Sequence, residues 1–338
     1  MSTFKWFASF VLAAAIVPAL PAEPHCPGNV ASVPLHLTNR HHMIVPVSVN
    51  HSGPYNFLLD TGNQITMVDP SLAAELHLNT LGSAEVAGVG FHAAASVAQL
   101  DVLEVGSHAV ANQKVVVFDI QNPHSADLHF RGVLGVDFLG QFDMLIDNDH
   151  NLLCLDDSSA MRADVKGPHI ALLEPTRAAE GMPAFMSLII LARLSNGERP
   201  VRLKLASATN VSFLFNTYRY LPLGLLRSTS LLGGGLDGAQ HPYATMPLQD
   251  LQIGSLEIPK VPFVTFADSP EGLSRTSAFD GLLTLGLFRR IFICHGGRFA
   301  ILEPLQGRNT RSSILVNESR AVTSPTTREA IKGRSDPK

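Results

Sequence analysis

Asp60-Thr61-Gly62 ends an apolar run from Tyr55 to Leu59 and brings together three residue types suited to acid–base chemistry. A carboxylate at a strand end can face a cleft and take or give a proton. A hydroxyl beside it can fix the turn by hydrogen bonding. A glycine lets a second backbone come close and offers its N–H to the carboxylate. The same residues also make ordinary strand-to-turn transitions, because Asp and Gly are common turn formers. The alternation of Tyr55, Phe57 and Leu59 predicts a half-buried strand that delivers Asp60.

A second stretch adds weight. Gly132-Val133-Leu134-Gly135-Val136-Asp137-Phe138-Leu139 follows two further strand-like segments. The Leu-Leu-Asp-Thr-Gly loop and the Val-Leu-Gly-x-Asp-Phe-Leu loop together resemble the paired signatures of retropepsin-like aspartic proteases. The resemblance covers residues 40–156. It implies that Asp60 is catalytic and that Thr61, Gly62, Gly135 and Asp137 support its loop. It also implies that the glycine-rich hairpin at Gly88, Val89 and Gly90 is a flap that closes over substrate and excludes water. The glycines alone do not exclude a plain surface hairpin. Asn63 departs from the family pattern, which more often has Ala or Ser there. The resemblance calls for no cofactor, and no zinc-like spacing of ligands occurs in the chain.

The elements that must position these residues read as short strands. Residues 43–49 alternate as a strand, and Asn50 to Pro54 turns the chain into the Asp60 strand. Residues 65–68 continue extended. Asp69-Pro70 predicts a helix N-cap and first position, with a helix to about Leu78. Strands follow at 96–105 and 114–119, then a short helix over 137–140 and a hairpin of 142–147 with 152–155. The sum is an all-β domain.

The pattern then repeats. A shift of 146 positions sets Asn50 on Asn196, Pro54 on Pro200, Leu59 on Leu205 and Gly88 on Gly234. Slightly larger shifts set Gly106 on Gly254 and Gly132 on Gly281. The run from Val201 to Ala208 thus overlies the Asp60 strand, with Ala206, Ser207 and Ala208 at the places of Asp60, Thr61 and Gly62. Thr284 and Gly286 fall where Gly135 and Asp137 stand. We read an internal duplication: two pepsin-like, barrel-like β lobes, the second without its aspartate. The expected organisation is a signal peptide at 1–22, a first domain at 40–156, a linker at 157–182, a degenerate second domain at 183–304 and a polar, basic, disordered tail at 305–338.

Composition agrees with a globular chain. Its 46% apolar and 16% charged residues supply ample core. A net charge of −4 without a basic stripe gives nucleic-acid binding little support. The apolar run from Trp6 to Val17, followed by Pro18-Ala19-Leu20-Pro21-Ala22, is shorter than the roughly 20 residues of a membrane span. It reads as a cleaved secretory signal, so the mature protein is expected to be exported and free of the membrane. Of the three cysteines, Cys154 and Cys294 lie in apolar strand contexts and are expected to be buried free thiols, although an exported chain with Cys26 could form one disulfide.

Aspartic proteolysis uses two carboxyl groups about 3 Å apart that share one proton. This chain supplies one such aspartate. A homodimer could rebuild the pair as Asp60/Asp60 about a twofold axis, and this is the favoured endopeptidase reading. Alternatively the two copies pair within one chain, with Ala206 opposite Asp60. That cleft would hold a peptide ligand but cleave it poorly, as a pseudoprotease or interaction module would.

Overall fold

Two curled sheets share one strand order, and a third sheet is built jointly by both halves of the chain. The computed structural model describes residues 25–38, 42–88, 91–120, 130–173, 188–195, 197, 199–215, 227–234, 240–266 and 279–305. The expected signal peptide, the flap residues Val89 and Gly90, and the tail beyond Leu305 lie outside these residues. Among the described residues no helix is long and apolar enough to cross a membrane.

The first sheet runs Thr80–Gly88, Phe91–Gln99, Lys114–Val117, Met67–Val68, Gly132–Leu134, Ser52–Leu59, Met43–Val49, Val102–Val105, His108–Ala111. Its pattern follows period-two alternation: Val45, Val47 and Val49 are fully buried while Pro46 and Ser48 are half-buried. The turn into the Asp60 strand is tighter than expected. Asn50 and His51 both take left-handed φ values, 50° and 62°, which suits a two-residue hairpin turn, so the strand restarts at Ser52. The helix Pro70–Glu75 is capped by Asp69, whose Oδ1 accepts from Leu72 N at 2.7 Å. It stops short of Leu78 because His77 turns left-handed.

The second sheet runs Arg227–Gly234, Gln240–Thr245, Phe263–Phe266, Ser212–Leu214, Gly281–Thr284, Val201–Ala206, Ile189–Leu194, Gln249–Ile253, Leu256–Val261. Strand for strand this is the order of the first. The registers agree as well. Gly132 pairs with Phe57 and Leu134 with Leu59, while Gly281 pairs with Leu203 and Leu283 with Leu205. Both glycines are required by close approach: a Cβ at Gly132 would run into the Phe57 ring, and one at Gly281 into the Phe213 carbonyl.

The third sheet joins the halves. Asp143–Asp147 from the first half pairs antiparallel with Phe288–Cys294 from the second, Leu145 opposite Phe292. Ser32–Pro34 and Leu152–Asp156 lie on one side of this pair, Phe299–Pro304 and Ile170–Ala171 on the other. The described part of the expected linker is therefore structured. It holds a helix, Ala160–Asp164, and the edge strand Ile170–Ala171. Arg162 on that helix forms an ion pair with Asp143, which also accepts from His295 N at 3.1 Å. A single apolar cluster runs through both halves, including Leu59, Leu134 and Phe138 with Leu205, Leu283 and Phe288. At roughly 1.5–3 kcal/mol for each such side chain buried, the halves are held together by far more than their connecting chain.

The expectation of a free Cys154 is corrected: Cys154 is disulfide-bonded to Cys26, and Cys294 is the buried free thiol. Local sequence cannot show this, because the pairing depends on the segment around Pro27–Asn29 packing beside the shared sheet. The bond spans 128 residues. Cys26→Ser with Cys154→Ser should cost about 2–5 kcal/mol, measured as a lowered urea midpoint with Cys294 left in place.

Candidate active site

The Asp60 loop is built mostly from backbone. Asp60 N donates to Leu134 O at 3.0 Å, which hangs the loop on the neighbouring parallel strand. Gly62 N donates to Asp60 Oδ1 at 2.8 Å. Asn63 N donates to Asp60 O at 3.2 Å, and Asn63 Nδ2 is buried without a hydrogen-bond partner.

The Gly135–Asp137 loop braces it from beneath. Val136 N donates to Asn63 O at 2.9 Å. The Asp137 carboxylate accepts from Thr66 N at 2.9 Å, from Thr66 Oγ1 at 2.7 Å and from Phe138 N at 3.0 Å. Thr66 Oγ1 in turn accepts from Gly135 N at 3.1 Å and Gln113 Nε2 at 3.3 Å. A Cβ on Gly135 would stand 2.7 Å from the Ile65 carbonyl carbon, so only glycine allows this approach. Burial raises the Asp137 pKa, and the Thr66, Gln113 and Phe138 donors oppose that rise. Asp137 is thus satisfied within the brace. Thr66 and Gln113 went unnoticed in the sequence because their role depends on three separate segments meeting.

Across the lobes the two equivalent loops interlock. Thr61 Oγ1 donates to Leu205 O at 3.0 Å and accepts from Ser207 N at 3.1 Å. Reciprocally, Ser207 Oγ donates to Leu59 O at 2.6 Å and accepts from Thr61 N at 3.0 Å. Ser207 therefore makes from the second sheet the bonds that Thr61 makes from the first. A Cβ placed on Gly62 would lie 3.5 Å from Ala206 Cβ, so Ala206 stands beside the Asp60 loop. Ala208 packs on the first-lobe cluster of Ile44, Leu58, Met67 and Val86. Within this chain, the loop that meets the Asp60 loop is the one at Ala206–Ala208. On the second-lobe brace, Thr284 N donates to Ser212 Oγ at 3.4 Å, matching Gly135 and Thr66, while Gly286 has no carboxylate to offer.

Asp60 is only 8% exposed and Ala206 4%. Burial raises the Asp60 pKa; the Gly62 N–H, the Lys204 charge and the Asn63 N–H pull it back. Lys204 was not singled out from sequence. It is 6% exposed, lies two residues before Ala206 and is paired with Leu282 at the place where Leu58 pairs with Val133 in the first lobe. Its Nζ sits 5.1 Å from the centre of the Phe279 ring. Burial lowers its pKa, and the Asp60 charge opposes that. The signal was the shift of 146 positions, which sets Lys204 on Leu58.

Gly88 ends its strand opposite Phe91 at the tip of the hairpin expected to be the flap. Among the described residues no group of three or more His, Cys, Asp or Glu is arranged to hold a metal ion.

A sequence profile described as "Aspartyl protease" matches residues 45–138, the segment that carries both loops. The crystal structure of a retropepsin-like aspartic protease from Rickettsia conorii matches with 21% identity and a TM-score of 0.28, over 37% of this chain and 90% of that one. No curated protein matches the chain. Residues 45–138, where Asp60-Thr61-Gly62 is braced by Gly135 and Asp137, are thus similar to the aspartyl protease family.

Proposed function

We propose that this protein takes extended polypeptide into the cleft between two lobes of a single chain, and acts on it as an aspartic peptidase through Asp60. The observation that carries the single-chain reading is the reciprocal Thr61–Ser207 grip, which engages the Asp60 loop internally. A homodimer built through Asp60 would have to open this grip and separate lobes that share a sheet and a core. Linkage gives the partner lobe an effective concentration of about millimolar, whereas a second chain must be recruited from solution. The matching strand orders support an internal duplication, with first and second domains at 40–156 and 183–304. The Cys26–Cys154 disulfide supports export to an oxidising compartment, periplasmic or extracellular.

The pseudoprotease reading has its own observation, Ala206 beside the Asp60 loop. Binding and cleavage are therefore measured separately. Fluorescence anisotropy with a labelled unfolded polypeptide reads binding to the Asp60→Asn variant. Cleavage by wild type is followed over a hundredfold dilution, with the mass checked by light scattering. A single-chain cleft gives constant turnover per chain from a monomer. Turnover that falls with dilution, together with a dimer mass, would sink the reading.

A further inference from the structure

A two-carboxyl site needs a second group to polarise the substrate carbonyl, and Ala206 has no proton or charge to offer. The strand that leads to Ala206 carries one, Lys204. Residues two apart on a strand share a face, so Lys204 stands on the face of Val201–Ala206 that carries Ala206, opposite the face that sends Leu203 and Leu205 into the core. Leu58, its counterpart, lies in the apolar cluster on which Ala208 packs. Lys204 is nine-tenths buried, and among the described residues no hydrogen-bond acceptor meets its Nζ; its close partner is the Phe279 ring. The Asp60 and Lys204 charges act on one another, each favouring the other's ionised form. A lysine this far buried is costly to keep charged. Packing does not require it, since the first lobe fills the same place with leucine.

We propose that Lys204 is the second catalytic group of this cleft, and that peptide hydrolysis runs through an Asp60 carboxylate and a Lys204 ammonium within one chain. This rests on the cleft reading above. Asp60 takes a proton from water as the water oxygen bonds to the peptide carbonyl carbon. The carbonyl oxygen becomes an oxyanion and is stabilised by a Lys204 N–H. The intermediate then collapses, the C–N bond breaks, and Asp60 passes its proton to the departing nitrogen. The products are a carboxylic acid and an amine, Asp60 is again ionised, and Lys204 keeps its protons throughout.

The rate requires Asp60 ionised and Lys204 protonated. Burial raises the one and lowers the other, so activity should rise above the ordinary carboxylate range and fall below the ordinary lysine range. The rate requires Lys204 protonated, so the alkaline limb is assigned to Lys204.

The test uses the full mature chain, a fluorescein-labelled, reduced and alkylated polypeptide, and Lys204→Met, Lys204→Gln and Lys204→Arg. Loss of an oxyanion donor should lower kcat about 10²–10³-fold in the Met and Gln variants, with KM little changed. The residual rate should have no alkaline limb. Arginine keeps the charge, so Lys204→Arg should retain more activity and carry the alkaline limb to higher pH. Two neutral variants guard against one that misfolds. Wild-type rates in Lys204→Met, or an alkaline limb unmoved by all three, would overturn the assignment. A wild-type protein that binds the polypeptide but never cleaves it overturns the Asp60–Lys204 pair and leaves the binding cleft standing. One that fails to bind sinks the cleft reading as well.

Discussion

Asp60→Asn should lower polypeptide cleavage by about 10²–10⁴-fold, the range for losing a positioned general base. The asparagine Oδ1 can still accept the Gly62 N–H that now lies 2.8 Å from the carboxylate, so the loop geometry survives. What disappears is the ability to hold a proton between attack and departure. Cleavage retained in full would assign the activity to another site. Stability supplies an independent check. Burial raises the Asp60 pKa, so the native state favours the protonated acid. That contribution is fully present below the unfolded carboxylate range and is lost as pH rises through the raised native value. In wild type the Lys204 charge offsets part of the loss. In a Lys204→Met background the offset is gone, so adding Asp60→Asn should raise the melting temperature at neutral pH and change it little in strong acid. Equal shifts at both pH values would show that ionisation of Asp60 costs the fold nothing.

Breaking the grip should have the next largest effect. Thr61→Val removes a hydroxyl that donates to Leu205 O and accepts from Ser207 N, leaving both buried. Each unsatisfied buried group costs about 1–3 kcal/mol, so roughly 2–4 kcal/mol is expected from urea unfolding. Ser207→Ala should cost a similar amount, because its hydroxyl serves Leu59 O and Thr61 N. The two are in direct contact, so their effects should fail to add, with an interaction of about 0.5–3 kcal/mol in the double-mutant cycle. A site assembled from two Asp60 loops on separate chains predicts otherwise: Ser207→Ala is nearly silent, and stability depends on protein concentration. Additive, concentration-dependent losses would therefore reverse the single-chain assignment.

Much of the fold was legible because its signals are local. Period-two alternation marks Val45, Val47 and Val49 as inward, and Asp69-Pro70 starts a helix by capping chemistry that needs only four residues. The shared strand order left a trace in glycines placed where another backbone or ring presses close, at Gly132 and Gly281. Asp60 and its brace could be named because Asp60-Thr61-Gly62 and Gly135–Asp137 are contiguous motifs. Thr66 and Gln113 carry no local mark, since each matters only when separate segments meet at the Asp137 carboxylate.

By itself, then, the sequence determined the strands, the turns and the one carboxylate. Each follows from neighbours within a few positions along the chain. Only the tertiary structure decided which loop faces Asp60, because Thr61 and Ser207 lie 146 residues apart and a hydroxyl at either position would grip a partner chain equally well. It also decided the fate of Lys204. Alternation places Arg202 and Lys204 on one polar face of their strand. Folding pairs Arg202 with Asp280 at 3.0 Å and leaves Lys204 buried beside Phe279, within the field of Asp60. Burial is set by what distant segments such as the one at Phe279 cover, and no short stretch of sequence contains them.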